Sequence, residues 1–229
     1  MGYFEHAAQW NPSLDGLDYN WGRAAFAASR FGDAIGPVSR YLKTHPDDIG
    51  ARSVLAISQF MVGSYQECRD TLQPVAGRNI LTPQAEYVYA ASLVKTGQIE
   101  SGMERLEHLE ATNPEIPDVH RVLGEALVLR GEKQHALEEF RTAVQLSPQD
   151  ADTHYDFGKA ELENGDATAA IPELEKAAQL APQSETFHHT LADAYKAVSR
   201  TADAQKQMEI CDVLKSRAQT MPPHQAPAQ

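Results

Sequence analysis

The sequence of this protein predicts an all-α solenoid built from antiparallel helix pairs. Small residues recur every 34 residues along the 229-residue chain, and a large apolar residue precedes each of them. Within each period the apolar positions follow helical spacing, and glycines or prolines stand where helices should end. Because one helix pair cannot bury its own apolar stripe, the pairs must stack on their neighbours.

Two sets of positions carry the 34-residue period. A small residue in each first helix lets the second helix approach closely, and a large apolar residue of the second helix fills the space opposite. The small residues are Gly22, Ala56, Ala90, Gly124, Gly158 and Ala192, and the large ones are Val38, Leu72, Leu106, Phe140, Leu174 and Met208. Glycine suits the end of a first helix because it adopts a left-handed conformation at low cost. Such glycines occur at Gly63, Gly97, Gly131 and Gly165, and prolines close four of the second helices at Pro46, Pro114, Pro148 and Pro182.

The 34-residue period divides the chain into a partial repeat, six complete repeats and a C-terminal tail. Residues 1–14 are in phase with the second half of a repeat, so they are predicted to form the second helix of a truncated repeat. Six complete repeats follow at residues 15–48, 49–82, 83–116, 117–150, 151–184 and 185–218. Residues 219–229 contain three prolines and no apolar periodicity, which predicts a disordered tail. The start in mid-repeat indicates a fragment of a longer repeat protein.

One proline interrupts the regular pattern. Pro74 falls inside the predicted second helix of the second repeat, where it removes a backbone donor and clashes with the preceding turn. We therefore expect that helix to end early or to kink, with an irregular connection over residues 76–79.

These residues resemble the tetratricopeptide repeat family. The fourth repeat carries the family pattern most fully, in Leu123, Gly124, Leu127, Ala136, Phe140, Ala143 and Pro148. The resemblance extends from residue 15 to residue 218 and implies a right-handed superhelix of the kind that serves as a non-enzymatic interaction scaffold. In proteins of this family the first helix of each repeat lines a concave groove.

The residues predicted to line that groove lie four apart on the first helices, or eight apart in the case of Tyr87 and Lys95, and therefore share a face. They are Tyr19, Arg23, Ser53, Ile57, Tyr87, Lys95, Arg121, Glu125, Tyr155, Lys159, His189 and Asp193. Tyrosine, arginine and lysine on a rigid surface suit the binding of an extended peptide or a helix. The leading hypothesis is a scaffold that binds a protein or peptide segment in this groove.

Two alternatives remain open. The chain is either an assembly or regulatory arm of a larger enzyme or secretion complex, or a module that associates with itself through its N-terminal edge at residues 3–10. The net charge of −12 repels phosphate backbones and disfavours nucleic acid as a partner. No apolar run is long enough to span a bilayer, so no membrane span is predicted.

No catalytic motif, cofactor or metal site is predicted. His120, His154 and His188 recur at the repeat period, but no cysteine or carboxylate was found to recur with them as a ligand, so they are interpreted as packing residues. Cys68 and Cys211 occupy positions where other repeats have Ala, Gly, Tyr, Val or Leu, which predicts buried residues and not a redox pair.

Overall fold

The computed structural model describes residues 16–78 and 80–220, and the side chains of all but the last three of these residues. All regular secondary structure in this part of the chain is helical, which confirms the predicted all-α class. The chain divides into two compact units, unit 1 (Met1–Pro114) and unit 2 (Glu115–Gln229). The helix predicted within residues 1–14 lies outside the described residues.

In its described residues, 16–78 and 80–114, unit 1 contains three helix pairs and a short 3-10 helix. The elements are α1 (Leu17–Ala27), α2 (Phe31–Thr44), α3 (Ile49–Met61), α4 (Tyr65–Leu72), the 3-10 helix Ala76–Arg78, α5 (Pro83–Lys95) and α6 (Ile99–Thr112). Each first helix packs on the second helix of its own pair, and α2 and α4 also pack on the first helix that follows them. The core therefore continues from one pair to the next within the unit.

Unit 2 repeats the same arrangement. Its helices are α7 (Pro117–Arg130), α8 (Lys133–Leu146), α9 (Ala151–Glu163), α10 (Ala167–Leu180), α11 (Glu185–Ala197) and α12 (Thr201–Thr220). The last helix runs through Thr220, two residues into the predicted tail, and the remainder of that tail lies outside the described residues. No helix of the described ranges is both long and apolar enough to cross a bilayer.

The recurring small residues lie where two helices of a pair approach most closely. A Cβ atom added at Gly158 would lie 2.8 Å from Cγ of Leu174 and 3.0 Å from the carbonyl oxygen of Ala170. The equivalent atom at Gly124 would lie 2.8 Å from the ring of Phe140. Real Cβ atoms rarely make such short contacts, so the packing of the second helix depends on the missing side chain.

The first helices share one type of C-terminal turn. The backbone N–H of Ser64 donates to the carbonyl of Gln59 at 2.8 Å, and the same bond recurs one repeat later between Gln98 and Leu93. The residue before this donor has a positive φ, which favours glycine. Glycine occupies it in four repeats, whereas Ser29 (φ 54°) and Ser199 (φ 62°) occupy it in the first and last pairs.

The early end predicted for the second helix of the second repeat is confirmed, whereas residues 76–78 of the connection predicted to be irregular form a 3-10 helix and residue 79 lies outside the described residues. Helix α4 spans only Tyr65–Leu72, whereas α2 and α6 each have 14 residues. It ends two residues before Pro74, and the 3-10 helix Ala76–Arg78 follows. Proline cannot supply the backbone donor that the next helical turn requires, so the helix stops ahead of it.

Candidate functional site

The candidate site lies on the first helices, which contact one another in succession. Within unit 1, α3 contacts both α1 and α5, and within unit 2, α9 contacts both α7 and α11. Side chains at the same repeat position are therefore neighbours on one face. We call the face of α1, α3 and α5 that carries the predicted groove residues the unit 1 wall, and the corresponding face of α7, α9 and α11 the unit 2 wall.

Aromatic contacts and one exposed arginine characterise α1 on the unit 1 wall. The ring of Tyr19 stacks on that of Tyr41, with 4.8 Å between the ring centroids. The guanidinium of Arg23 lies 5.7 Å from the centroid of Tyr19, within cation–π range, and this side chain is exposed. Both residues remain available on the surface that the sequence analysis assigned to them.

The predicted residues of α3 and α5 differ in their exposure. Ser53 is half-buried, and its hydroxyl donates to the carbonyl of Ile49 at 2.8 Å. Ile57 is only 6% exposed and packs in the core of unit 1, so it offers little surface to a ligand. Tyr87 is half-buried and Lys95 is exposed. Ile57, which lies four residues after Ser53 on α3, is therefore in the core and not on the surface. This is because α3 contacts a first helix on each side.

An apolar patch lies on the unit 1 wall. The ring of Phe60 lies 5.8 Å from that of Tyr87 and 5.3 Å from that of Tyr65, both in edge-to-face geometry. Met61 and Val62 follow Phe60 and are 54% and 45% exposed. Large apolar side chains with this exposure, next to a cluster of aromatic rings, mark a candidate interaction surface.

Arg121 on the unit 2 wall is surrounded by carboxylates. Its guanidinium lies 2.9 Å from Glu125, 3.1 Å from Asp156 and 3.5 Å from Asp118. Asp156 belongs to α9, so this network connects two neighbouring first helices. Because the positive charge already has three acidic partners, Arg121 is a poor candidate for binding a carboxylate of a ligand.

The remaining predicted residues of unit 2 also have partners on the wall. Tyr155 stacks on Phe187 at 4.6 Å, and its hydroxyl oxygen lies 3.4 Å from that of Thr190. Ion pairs join Lys159 to Glu163 at 3.8 Å and Lys196 to Asp193 at 2.9 Å, and Nδ1 of His189 lies 3.4 Å from Oδ2 of Asp193. The unit 2 wall is thus covered by side chains that bind one another.

The recurring histidines hold helix pairs together. Nδ1 of His154 lies 2.6 Å from Oε2 of Glu173, and its Nε2 lies 3.2 Å from the carbonyl oxygen of Pro148. One repeat later, His188 contacts Gln207 at 2.7 Å and the carbonyl of Pro182 at 3.2 Å. Both histidines are 6% exposed, and both ring nitrogens of each contact a polar atom within unit 2. They are therefore packing residues, as the sequence analysis expected.

The same repeat position uses other charged groups in unit 1. Glu86 stands 34 residues before His120 and binds Arg105 at 2.5 Å. Arg52, one repeat earlier, donates to the carbonyl of Pro46 at 2.5 Å and to that of Thr71 at 2.9 Å. The sequence analysis did not identify the polar partners at this repeat position. A polar residue recurs 19 positions after it, at Arg105, Glu173 and Gln207, and this recurrence could have indicated them.

Glu161 is a buried carboxyl group that the sequence analysis did not single out. It is 9% exposed, and its Oε2 has no hydrogen-bond partner within the described residues. Burial, followed by the negative charges of Glu173 and Asp166, raises its pKa to about 7, while Arg141 acts in the opposite direction. A carboxyl group of this kind binds a proton readily near neutral pH.

Cys68 lies in unit 1 and Cys211 in unit 2, and both are buried. Both are 0% exposed, which confirms that they are packing residues. Burial raises the pKa of the Cys68 thiol to about 11, and that of Cys211 is also raised. A nucleophilic cysteine needs a thiolate, so neither side chain is suited to that chemistry.

A cleft of about 560 Å³ lies in unit 1 beside the early end of α4. Ala76 and Gly77 of the 3-10 helix, with Leu109 and His108 of α6, contribute to its lining. The ion pair of Glu86 and Arg105 and the exposed carboxylate of Glu104 also line it.

Comparisons with known proteins agree with this architecture. Residues 90–151 match the family described as "Tetratricopeptide repeat", and residues 143–218 match "Bacterial transcriptional activator domain". No curated protein matches this chain at the level of sequence.

Several solved structures share the fold. "MamA RS-1 ArsTM double mutant" has a TM-score of 0.64 at 19% identity, covering 76% of this chain and 97% of that chain. "Crystal structure of MamA" has a TM-score of 0.63 at 17% identity, with 73% and 98% covered. "MamA MSR-1 C2" has a TM-score of 0.59 at 23% identity, with 71% and 93% covered. At such identities the similarity establishes the fold alone.

Proposed function

We propose that this chain, in which residues 90–151 match the tetratricopeptide repeat family, is a non-enzymatic scaffold that binds a segment of a partner protein on its first-helix walls. The observation that carries the proposal is the arrangement of these helices. They contact one another in succession, so their exposed side chains form a continuous face within each unit. Such a face is able to bind an extended segment or a helix along several repeats.

The face also has the composition of an interaction surface. Tyr19, Tyr87 and Tyr155 combine large apolar area with a hydroxyl group, and rigid helices hold them. Aromatic residues provide much of the binding energy in protein interfaces because they bury a large area for little loss of side-chain freedom. These properties support protein binding.

Photo-cross-linking in cells that produce the protein tests this proposal. In two variants, a photoreactive amino acid replaces Ser53 or His189 on the walls. In two control variants, it replaces Glu104 or Glu138, which are exposed on the second helices α6 and α8. We expect partner adducts from the two wall positions and few from the two second-helix positions. Adducts of equal yield at all four positions, or only at the second helices, would contradict binding on the walls.

A regulatory arm of a larger assembly is the second candidate function. The match of residues 143–218 to a family described as "Bacterial transcriptional activator domain" favours it. If this candidate is correct, the cross-linked partners should be proteins of the transcription apparatus. Partners drawn from other assemblies would argue for a general scaffold. Self-association through residues 3–10 stays a prediction, since those residues lie outside the described ranges.

A further inference from the structure

Helix α12 carries two exposed apolar side chains at positions that are polar in the other second helices of unit 2. Ile210 and Val213 are 36% and 49% exposed, and we call them the α12 pair. The residues at the same two repeat positions in α8 and α10 are Thr142, Gln145, Lys176 and Gln179. The α12 pair is therefore a feature of this helix and not of the repeat pattern in unit 2.

The α12 pair does not lie at the positions through which α10 stacks on α11. Ile171 and Ala178 of α10 belong to the core cluster that α10 forms with α11. The corresponding residues of α12 are Gln205 and Asp212, which are polar and exposed. Helix α12 is thus polar where α10 stacks on its neighbour and apolar where α10 is polar. This reversal indicates that the α12 pair serves a contact other than repeat stacking.

The α12 pair lines a groove of about 460 Å³ in unit 2. The other residues of its lining are Pro182, Gln183, Lys206, Glu209, Leu214 and Arg217. Glu209 precedes Val213 by four residues and Arg217 follows it by four, so these three side chains share one face of the helix. An acid and a base therefore flank the apolar centre symmetrically along α12.

From this pattern we propose that the groove face of α12 binds the same face of a second copy of the chain. The two α12 helices run antiparallel, with Val213 near the two-fold axis. Each Glu209 then lies opposite Arg217 of the second copy, because the two residues are equally distant from Val213 in opposite directions. A parallel pair would instead place Glu209 opposite Glu209 and Arg217 opposite Arg217, so the charges favour the antiparallel arrangement.

The charged side chains of the groove are able to make these contacts. Glu209 is exposed, and its hydrogen bond within the described residues comes from the amide of Gln205 at 3.4 Å, so the carboxylate can accept an arginine as well. Arg217 is exposed and has five donor groups, so it can bind a carboxylate of the second copy in addition to any contact in its own chain. Lys206 lies 3.4 Å from Asp203 and so has an acidic partner on α12 already. One face of one helix thus supplies both charges of the proposed contact.

Sedimentation of the full chain over a range of concentrations tests the proposal. A contact centred on two apolar residues per copy is small, so we expect a reversible dimer with a dissociation constant of roughly 1–100 μM. Val213→Lys places like charges at the axis and should weaken the dimer at least about tenfold. Leu129→Gln on α7 changes another apolar side chain, which is 65% exposed, and should leave the dimer unchanged. Equal weakening by both variants, or a wild-type chain that is still monomeric at about 1 mM, would overturn the proposal.

Exchange of the two charges tests the antiparallel arrangement itself. Glu209→Arg and Arg217→Glu each place like charges opposite one another, so each should weaken the dimer by roughly tenfold. The double variant restores opposite charges across the axis and should recover the wild-type affinity to within about threefold. Far-UV circular dichroism of all three variants is the folding control. A double variant that dimerises as weakly as the single ones would overturn the pairing of Glu209 with Arg217.

Disulfide cross-linking locates the axis on α12. Val213→Cys brings two thiols together near the two-fold axis and should give a covalent dimer under mild oxidation. Lys215→Cys, two residues further along and on the opposite face of the helix, should give little. Cys68 and Cys211 are 0% exposed and do not compete. Equal yields from the two introduced cysteines would overturn the assignment to this face. Neither position lies on a wall, so cross-links from the walls test the proposed function separately.

Discussion

Gln59, Glu161 and Tyr195 occupy one repeat position in three different repeats, and each is at least nine-tenths buried. Gln59 accepts a hydrogen bond from the hydroxyl of Thr71 at 2.8 Å, and the hydroxyl of Tyr195 donates to Glu175 at 2.5 Å. Burial and this carboxylate raise the pKa of Tyr195 to about 12. Glu161 differs from both because one of its oxygens has no partner within the described residues.

We expect Glu161 to make the stability of the protein depend on pH. Its pKa is about 7 in the folded chain and 4.5 in a solvated carboxyl group, so the folded chain keeps a proton that the unfolded chain releases between these values. The free energy of unfolding should therefore fall as the pH rises from about 4.5 to about 7 and then level off, by up to about 3 kcal/mol.

Glu161→Gln should remove this dependence. Close to pH 4.5 the variant and the wild type should have similar stability, and at pH 8 the variant should be more stable by roughly 1–3 kcal/mol, since the buried charge is gone. Urea unfolding at several pH values measures the difference. Glu163→Gln, on the exposed end of the same helix, serves as the control and should leave the pH dependence in place. A wild-type stability that rises across this pH range would contradict the prediction.

The sequence indicated the burial of some of these polar side chains. The period marked His154 and His188 as packing residues, and their burial confirms it. The period also places Glu161 at the position of Leu127, an apolar residue of the family pattern, but the sequence analysis did not single this carboxyl group out. The proximity of Glu173, which raises the pKa of Glu161, depends on the neighbouring helix.

At the scale of the helix pair, the small residue of the first helix sets the distance to the second. Gly158→Ala places a methyl group against Leu174 and the backbone of Ala170, and the backbone oxygen cannot rotate away. The variant should lose about 1–3 kcal/mol of unfolding free energy, as overpacked cores do. Thermal or urea unfolding measures the loss.

Gly32→Ala in α2 is the matched control for this substitution. A Cβ atom there meets nothing within 4 Å, and the backbone is helical. Alanine has a higher helix propensity than glycine, so this variant should gain up to about 1 kcal/mol. If both alanine variants were destabilised equally, close approach at Gly158 would not be the cause.

The helices themselves follow the sequence closely because the signals that end them are local. Asp48 and Asp150 accept hydrogen bonds from the backbone N–H groups of Ala51 and Thr153 and so cap α3 and α9. Pro74 ends α4 through its own missing donor. Local geometry of this kind can be predicted from the residues alone.

At the scale of the whole chain, the stacking of repeats predicts that a destabilising substitution mainly affects the stability of nearby repeats. In a solenoid each repeat is stabilised by its own core and by its neighbours, so a defect weakens nearby repeats most. Hydrogen exchange of Gly158→Ala should show faster exchange in α9 and α10, a smaller change in the other helices of unit 2, and the amides of α1 to α3 as the internal reference.

The same experiment has a clear contrary outcome. Uniform acceleration of exchange throughout unit 2 would show that the unit unfolds as one cooperative block. In that case the repeats would not contribute separable stabilities, and nearest-neighbour reasoning would not apply to this chain.

The sequence by itself determined the repeat period, the helix pairs and the positions of close approach. Helix formation and termination depend on side chains a few residues apart, and the 34-residue recurrence makes the pattern visible. The tertiary structure alone decided that Ile57 is buried while Met61 is exposed, and that Arg121 is bound by Asp156 of the neighbouring first helix. These facts depend on residues about one repeat apart that meet only when the helices stack. Spacing along the chain therefore fixes which residues share a face, and packing decides which of them a partner can reach.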